Sequence, residues 1–171
     1  MIAKLRSTLR VVVAIAVVAL VGCTAPENAQ PDCQPGPPTT LMAESVPTAA
    51  FIPCVRELPS GWAFEGFEAN ERAASFTLES DATGGSVEVV LQRRCTTADQ
   101  QPMSSRRARI RQWQSRSAEG STTVWTAVFD GGCARTRIDL PSGSTEDTAA
   151  SVRAAIGFVP RRVLVALSAP S

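Results

Sequence analysis

Four widely spaced cysteines, Cys33, Cys54, Cys95 and Cys133, constrain the fold more than any other feature of this 171-residue chain. No two of them have the C-x₂₋₄-C spacing of structural zinc sites, and the chain contains no histidine. We therefore expect no metal ion and no other cofactor. In an exported protein an even set of cysteines predicts two disulfides, for which three connectivities are possible.

The first 22 residues have the composition of an export signal. Lys4, Arg6 and Arg10 precede an uninterrupted apolar run over 11–21. This run is too short to cross a bilayer as a helix, which needs roughly 20 residues, but it fits the core of a secretory signal peptide.

The leader ends in Leu20-Val21-Gly22-Cys23, which resembles the lipobox of bacterial lipoproteins. The resemblance implies lipid attachment to the Cys23 thiol, cleavage after Gly22, and location on the outer face of the cell membrane. Two acyl chains suffice for stable attachment, since each buried methylene contributes about 0.8 kcal/mol. The alternatives are an uncleaved membrane anchor and plain secretion.

The composition of the chain after residue 22 argues against most enzyme classes. It has neither the histidine that usually serves as general base nor a lysine for a Schiff base, and no catalytic motif is recognisable. We expect a non-enzymatic protein with no catalytic residues. The leader holds three of the 17 basic residues and none of the 16 acidic ones, so the remainder has a formal charge of −2. This charge does not suggest binding to nucleic acid.

Three segments follow from these patterns: a cleaved signal peptide over 1–22, a lipidated tether over 23–50, and a globular disulfide-bonded domain over 51–171. Residues 24–50 are rich in Pro, Thr and Ala, a composition that cannot bury much apolar surface. A Cys33–Cys54 bond would shorten the freely mobile part of this tether to residues 24–32.

From Phe51 onward, short runs alternate apolar and polar residues, which predicts an antiparallel meander of five or six strands. The clearest hairpin joins 122–129 to 133–140 through Asp130-Gly131-Gly132, and a Cys95–Cys133 bridge across the sheet is natural. Gly66 is expected at a bulge.

Two further segments complete the predicted fold. Residues 107–114 suit a helix or an edge strand, and we favour the strand. A helix is expected up to Ile156 with Gly157 as its left-handed C-terminal residue, and a second one from Pro160 to Leu167. The predicted class is α+β, with one or two C-terminal helices on one face of the sheet.

Two charge blocks suggest a binding function. Seven acids and one arginine lie in 57–88, and seven arginines and one acid lie in 93–116. Arginine binds phosphate oxygens in pairs, so the second block contains the candidate anion-binding residues Arg106, Arg107, Arg109 and Arg111. The competing interpretation, which the equal counts favour, is that the blocks are neighbouring strands with paired charges. For Trp113 and Trp125 we expect core positions.

Two segments resemble those of uncharacterised lipoproteins from high-GC Gram-positive bacteria: Pro53-Cys54-Val55-Arg56-Glu57-Leu58-Pro59-Ser60-Gly61-Trp62 and Phe129-Asp130-Gly131-Gly132-Cys133. This resemblance implies no activity. We expect an accessory module that binds an envelope protein, wall polymer or amphiphile. A lipid or amphiphile carrier is the alternative, and a carboxylate-dependent hydrolase is the third hypothesis.

Overall fold

The protein is described by a computed structural model over residues 29–105, 107–144 and 146–168. Its helices are α1 (Pro37–Ser45), α2 (Glu146–Ala155) and α3 (Arg161–Ser168). Its strands are β1 (Phe51–Val55), β2 (Ala63–Ala69), β3 (Ala73–Ser80), β4 (Gly85–Gln92), β5 (Gln101–Met103), β6 (Arg111–Arg116), β7 (Thr122–Phe129), β8 (Gly132–Asp139) and β9 (Ile156–Pro160).

Seven of these strands form one antiparallel sheet in the order β2-β3-β4-β8-β7-β6-β5, while β1 and β9 pair as a separate antiparallel ladder. The α+β class is therefore confirmed, but the sheet has more strands than the five or six expected. It is also not a single meander, because the chain leaves β4 and returns at the opposite edge as β5.

The two predicted disulfides are present, and one of them fixes this crossover. Cys95, in the connection between β4 and β5, is bonded to Cys133 on β8 at 2.13 Å. Cys133 pairs in register with Gln92, the last residue of β4. The bond thus holds the start of the crossover against the strand that lies next to β4. Cys33 and Cys54 form the second disulfide at 2.08 Å.

Side chains alternate between two faces of the seven-stranded sheet. One row of cross-strand partners contains Phe76, Val89 and Trp125, which are all buried. We call this side the core face, and it packs under α1 and the β1-β9 ladder. The next row lies on the opposite side, which we call the outer face, and contains Trp113, Thr126, Arg135, Val90 and Ser75.

The segment expected to be a tether over 23–50 is corrected by α1. Pro37 and Pro38 open this helix, and the Thr39 hydroxyl accepts a hydrogen bond from the Gly36 N–H at 3.2 Å. Met42 and Val46 are completely buried against the domain. Residues 37–50 therefore belong to the globular domain, because this Pro- and Thr-rich segment also contains four residues of the buried hydrophobic core.

The first described residues are also attached to the domain. The Cys33 N–H donates to the Val55 carbonyl at 3.1 Å, and the Val55 N–H donates to the Pro31 carbonyl at 2.8 Å. Together with the Cys33–Cys54 bond, these hydrogen bonds fix residues 31–33 beside the end of β1. Residues 1–28, including Cys23, lie outside the described part of the chain.

The region after α2 differs from the prediction. The helix ends at Ala155, and Ile156 to Pro160 form β9 instead of a helix end. Gly157 is buried opposite Cys54 in the ladder and is not among the glycines with positive φ. A side chain at Gly157 would meet Cys33 Sγ at 2.6 Å, so close packing explains this glycine. The strand predicted over 107–114 is confirmed in part, because β6 begins only at Arg111 and residues 107–110 are a loop. The register shift between Phe64 and Gly66 and the β7-β8 hairpin are confirmed.

The turn of that hairpin connects the sheet to the second layer. Gly131 has φ of 73°, and a Cβ atom there would lie 1.8 Å from the Thr48 carbonyl oxygen. The Thr48 hydroxyl donates to the Gly131 carbonyl at 2.6 Å, and the Ala50 N–H donates to the Asp130 carbonyl at 2.9 Å. Glycine is required here by both its dihedral angle and its neighbour.

Replacing Gly131 by alanine should lower the free energy of unfolding far more than the same change at Gly120. Gly120 has a similar φ of 74° but open space around it. The left-handed conformation alone costs an alanine about 1–2 kcal/mol. Gly131→Ala should cost at least about 2 kcal/mol more, because the new methyl group overlaps a backbone carbonyl. Urea denaturation of both variants measures the difference, and equal losses would contradict the described turn contact.

Candidate functional site

The two charge blocks do not neutralise each other across neighbouring strands. The acidic block lies mainly on β2, β3 and β4, whereas β5 and β6 of the arginine block lie at the other edge, beyond β8 and β7. The register pairs Glu88 of β4 with Arg137 of β8. The interpretation of the blocks as paired neighbouring strands is therefore wrong, because the crossover after β4 places two strands between them.

Ion pairs within the described ranges likewise do not join the blocks. They link Arg109 to Asp130, Arg116 to Glu146, and Arg137 to Asp139. The hydrogen bond from Arg137, with a further one from the Thr122 hydroxyl, lowers the pKa of Asp139 below its ordinary value. Within the described ranges, the arginines of the second block therefore form no ion pair with the acidic block.

The four candidate anion-binding residues do not form a single cluster. Arg106 lies outside the described residues. Arg107 donates from Nη1 to the Phe158 carbonyl at 2.9 Å, which ties the loop before β6 to β9. Arg109 forms an ion pair with Asp130 at 3.0 Å, and the Arg111 guanidinium lies over the Trp113 ring at 5.6 Å. Arg107 therefore has a structural contact, whereas Arg109 and Arg111 are exposed to solvent.

Arg109 lies in a cleft that contains two further arginines. The cleft has a volume of about 280 Å³ and is lined by Ala50, Phe51, Arg109, Pro160, Arg161 and Arg162. We call it the Arg109 cleft. The lining thus combines three arginines with an alanine, a phenylalanine and a proline. The apolar residues suit the uncharged part of a ligand, and guanidinium groups suit an anionic group on it.

Backbone contacts of Ala50 hold the walls of the Arg109 cleft together. Ala50 donates to the Asp130 carbonyl and accepts the Arg161 N–H at 3.0 Å. Phe51 and Pro160 are the first register pair of the β1-β9 ladder. The cleft therefore forms where the β7-β8 turn, the start of β1 and the start of α3 meet.

The three arginines differ in what they already bind. Arg161 Nη1 donates to the Ala43 and Val46 carbonyls, at the C-terminal end of α1. Arg109 is 64 % exposed and its partner Asp130 is 78 % exposed, so their ion pair is weak and can be replaced by an external anion. Arg162 is exposed and makes no hydrogen bond or ion pair within the described part of the chain. Arg162, and Arg109 once its ion pair is exchanged, are thus the two residues able to bind a ligand.

Sequence reasoning missed Arg161 and Arg162. It assigned them to a helix after Pro160, which is correct, but it placed no strand before them. Without β9 there was no reason to expect them beside Phe51. A buried apolar run followed directly by two arginines, as in residues 156–162, is the signal that could have found them.

A second cleft lies between the β6-β7 turn and the loop before α2. It has a volume of about 240 Å³, and Arg116, Glu119 and Glu146 are among its lining residues. Glu146 is 80 % exposed and forms an ion pair with Arg116 at 3.5 Å. A carboxylate-dependent hydrolase needs two acids in one cleft with different surroundings, whereas Glu119 and Glu146 are both exposed.

Neither a metal centre nor a membrane-crossing helix is found within the described ranges. No three Cys, Asp or Glu side chains there gather in an arrangement that could hold a metal ion. The helices of the same ranges lack the length and apolar character needed to span a bilayer. The two disulfides indicate an oxidising environment outside the cytoplasm.

No protein-family model matches the chain, and no curated protein matches its sequence.

Arg161 and Arg162 should respond differently to replacement by alanine. Arg161→Ala removes the donor to two carbonyls at the end of α1, and the free energy of unfolding should fall by about 1–3 kcal/mol. Arg162→Ala removes only exposed surface and should change it by less than about 0.5 kcal/mol. Urea denaturation measures both, and a larger loss for Arg162→Ala would contradict the assigned contacts.

Proposed function

We propose that the chain is a lipid-anchored, extracytoplasmic binding module that takes an anionic group of another envelope component in the Arg109 cleft. The observation that carries this proposal is that one cleft is lined both by Arg109, Arg161 and Arg162 and by apolar residues. The protein as a whole is slightly acidic after residue 22, so this local concentration of positive charge does not follow from the overall composition.

The lipid anchor on Cys23 agrees with the way the domain begins. The Pro31 carbonyl is hydrogen-bonded to β1, so only residues 24–30 separate Cys23 from the attached part of the chain. Seven residues span at most roughly 25 Å even when fully extended. An anchored domain would therefore stay close to the membrane surface.

The Arg109 cleft lies at the end of β1 that is remote from residues 31–33, where the chain from Cys23 joins the domain. Val55 contacts residues 31–33, whereas Phe51 lines the cleft. Four residue steps along a strand span roughly 13 Å. This separation favours an envelope component beyond the anchoring membrane over the head groups of the lipids around Cys23.

The interior of the domain supports a binding module better than a carrier. The space between the sheet and the second layer is filled by large side chains that are less than 2 % exposed, including Met42, Ile52, Phe76 and Leu91. An amphiphile would have to displace these residues to enter the core. The carrier therefore remains the alternative with less support.

The anchor is tested by the Cys23→Ala variant expressed in its own host. Loss of the thiol removes the attachment point, so the variant should leave the detergent phase in a phase-separation assay and lack an added diacylglyceryl mass. Cys23 precedes the folded domain, so stability should not change. A variant that stayed in the membrane fraction would contradict the anchor.

Anion binding is tested with inorganic tripolyphosphate by isothermal titration calorimetry at low salt. The double variant Arg109→Ala/Arg162→Ala should bind about tenfold more weakly than the unchanged protein, since two charge-assisted contacts are lost. Its matched control is Arg56→Ala/Arg72→Ala, which removes two exposed arginines outside the cleft and changes the net charge equally.

The control should keep its affinity within about twofold. Equal losses in the two double variants would show that tripolyphosphate responds to net charge alone, and would contradict the cleft as the binding site.

A further inference from the structure

We infer that the ligand of the Arg109 cleft is an acidic polysaccharide, which continues from the cleft onto the outer face of the sheet and stacks a sugar ring on Trp113. This inference rests on the proposed function and adds the chemical class of the ligand. It is carried by a row of three alternating residues, Arg109, Arg111 and Trp113, and by the charges of the outer face.

The row begins at the cleft and follows β6. Arg111 pairs in register with Val128, and Trp113 with Thr126. The ion pair between Arg109 and Asp130 lies where the same register would place the next pair. Successive side chains on one face of a strand lie roughly 7 Å apart, so Arg111 and Trp113 are neighbours on β6, and Arg109 lies in the turn just before it.

Trp113 does not take the core position expected for it. Its register partner Thr126 lies between the core-facing residues Trp125 and Ala127, so Trp113 lies on the outer face, half-buried. Part of the Trp113 ring is therefore accessible on the outer face, and a flat apolar ring suits the C–H groups of a sugar ring. The adjacent Arg111 guanidinium can bind an anionic substituent of the same ring.

Only one half of the outer face has the positive charges that would attract an anionic chain. Arg111 and Arg135 are exposed on β6 and β8, next to Trp113 and Thr126 in the register. The exposed acids Glu68, Glu79 and Glu88 lie on β2, β3 and β4, at the other side of the sheet. An acidic polymer is therefore directed towards β6 and away from β2.

A buried hydroxyl at this position also lacks a partner. Thr126 Oγ1 is inaccessible to solvent and makes no hydrogen bond within the described residues. Thr126 lies in the register between Trp113 and Arg135. An unpaired buried hydroxyl costs about 1–3 kcal/mol, so Thr126 is a destabilised position in this part of the sheet.

Two polymers of matched charge separate ring stacking from charge alone. The probes are an oligogalacturonate, which has a carboxylate on each sugar ring, and a linear inorganic polyphosphate, which has no ring. Affinities are measured by titration calorimetry at one low salt concentration. Trp113→Ala should weaken oligogalacturonate binding about tenfold and change polyphosphate binding by less than about twofold.

Two further variants control for folding and for planarity. Trp113→Phe keeps a flat ring and should retain most of the affinity for oligogalacturonate. Trp113→Leu keeps an apolar side chain without a flat face and should behave like Trp113→Ala, with circular dichroism and the thermal midpoint reporting that it is folded.

The outcomes distinguish this inference from the function on which it rests. If Trp113→Leu is folded and binds oligogalacturonate as well as the unchanged protein, the polysaccharide inference is overturned while the anion cleft stands. If the unchanged protein binds neither polymer, both are overturned. Tighter binding to single-stranded oligothymidylate than to oligogalacturonate would overturn the polysaccharide and point to stacked bases instead.

Discussion

The architecture depends on the contact between the Asp130–Gly131 turn and residues 48–50. Two hydrogen bonds join the turn to Thr48 and Ala50, and the missing side chain of Gly131 lets the two backbones approach. Because Ala50 also accepts the Arg161 N–H, the same short segment positions the end of the β7-β8 hairpin, the start of β1 and the start of α3. The Arg109 cleft exists because these three parts meet there.

The two disulfides fix the parts of the chain that strand pairing leaves free. Cys95–Cys133 holds the crossover after β4, which has to reach the opposite edge of the sheet. Cys33–Cys54 holds the segment before α1 beside β1. In the chain-entropy model, loops of these lengths give each bond about 3–4 kcal/mol, a large contribution for a domain of this size.

Sequence patterns predicted local pairing well and the arrangement of the sheet poorly. The β7-β8 hairpin and the strand at β6 follow from alternation and turn residues, which act over a few neighbours. The crossover to β5 depends on which edge of a finished sheet is open, and no local pattern encodes that choice. Helix α1 was missed because its prolines and threonines are typical of a linker. Met42 and Val46 are nevertheless completely buried in the structure. Of the residues that line the Arg109 cleft, only Arg109 was predicted, since Arg161 reaches the cleft through β9.

The central claim, that the Arg109 cleft is the anion site of this protein, is tested most directly by nuclear magnetic resonance of the folded domain. The side-chain Nε–Hε signals of the arginines and the backbone amide of Gly131 are followed while inorganic tripolyphosphate is added. The account predicts the largest saturable shifts at Arg109, Arg162 and Gly131, with Arg56 and Arg72 nearly unchanged. Shifts of similar size at all exposed arginines, without saturation, would contradict it.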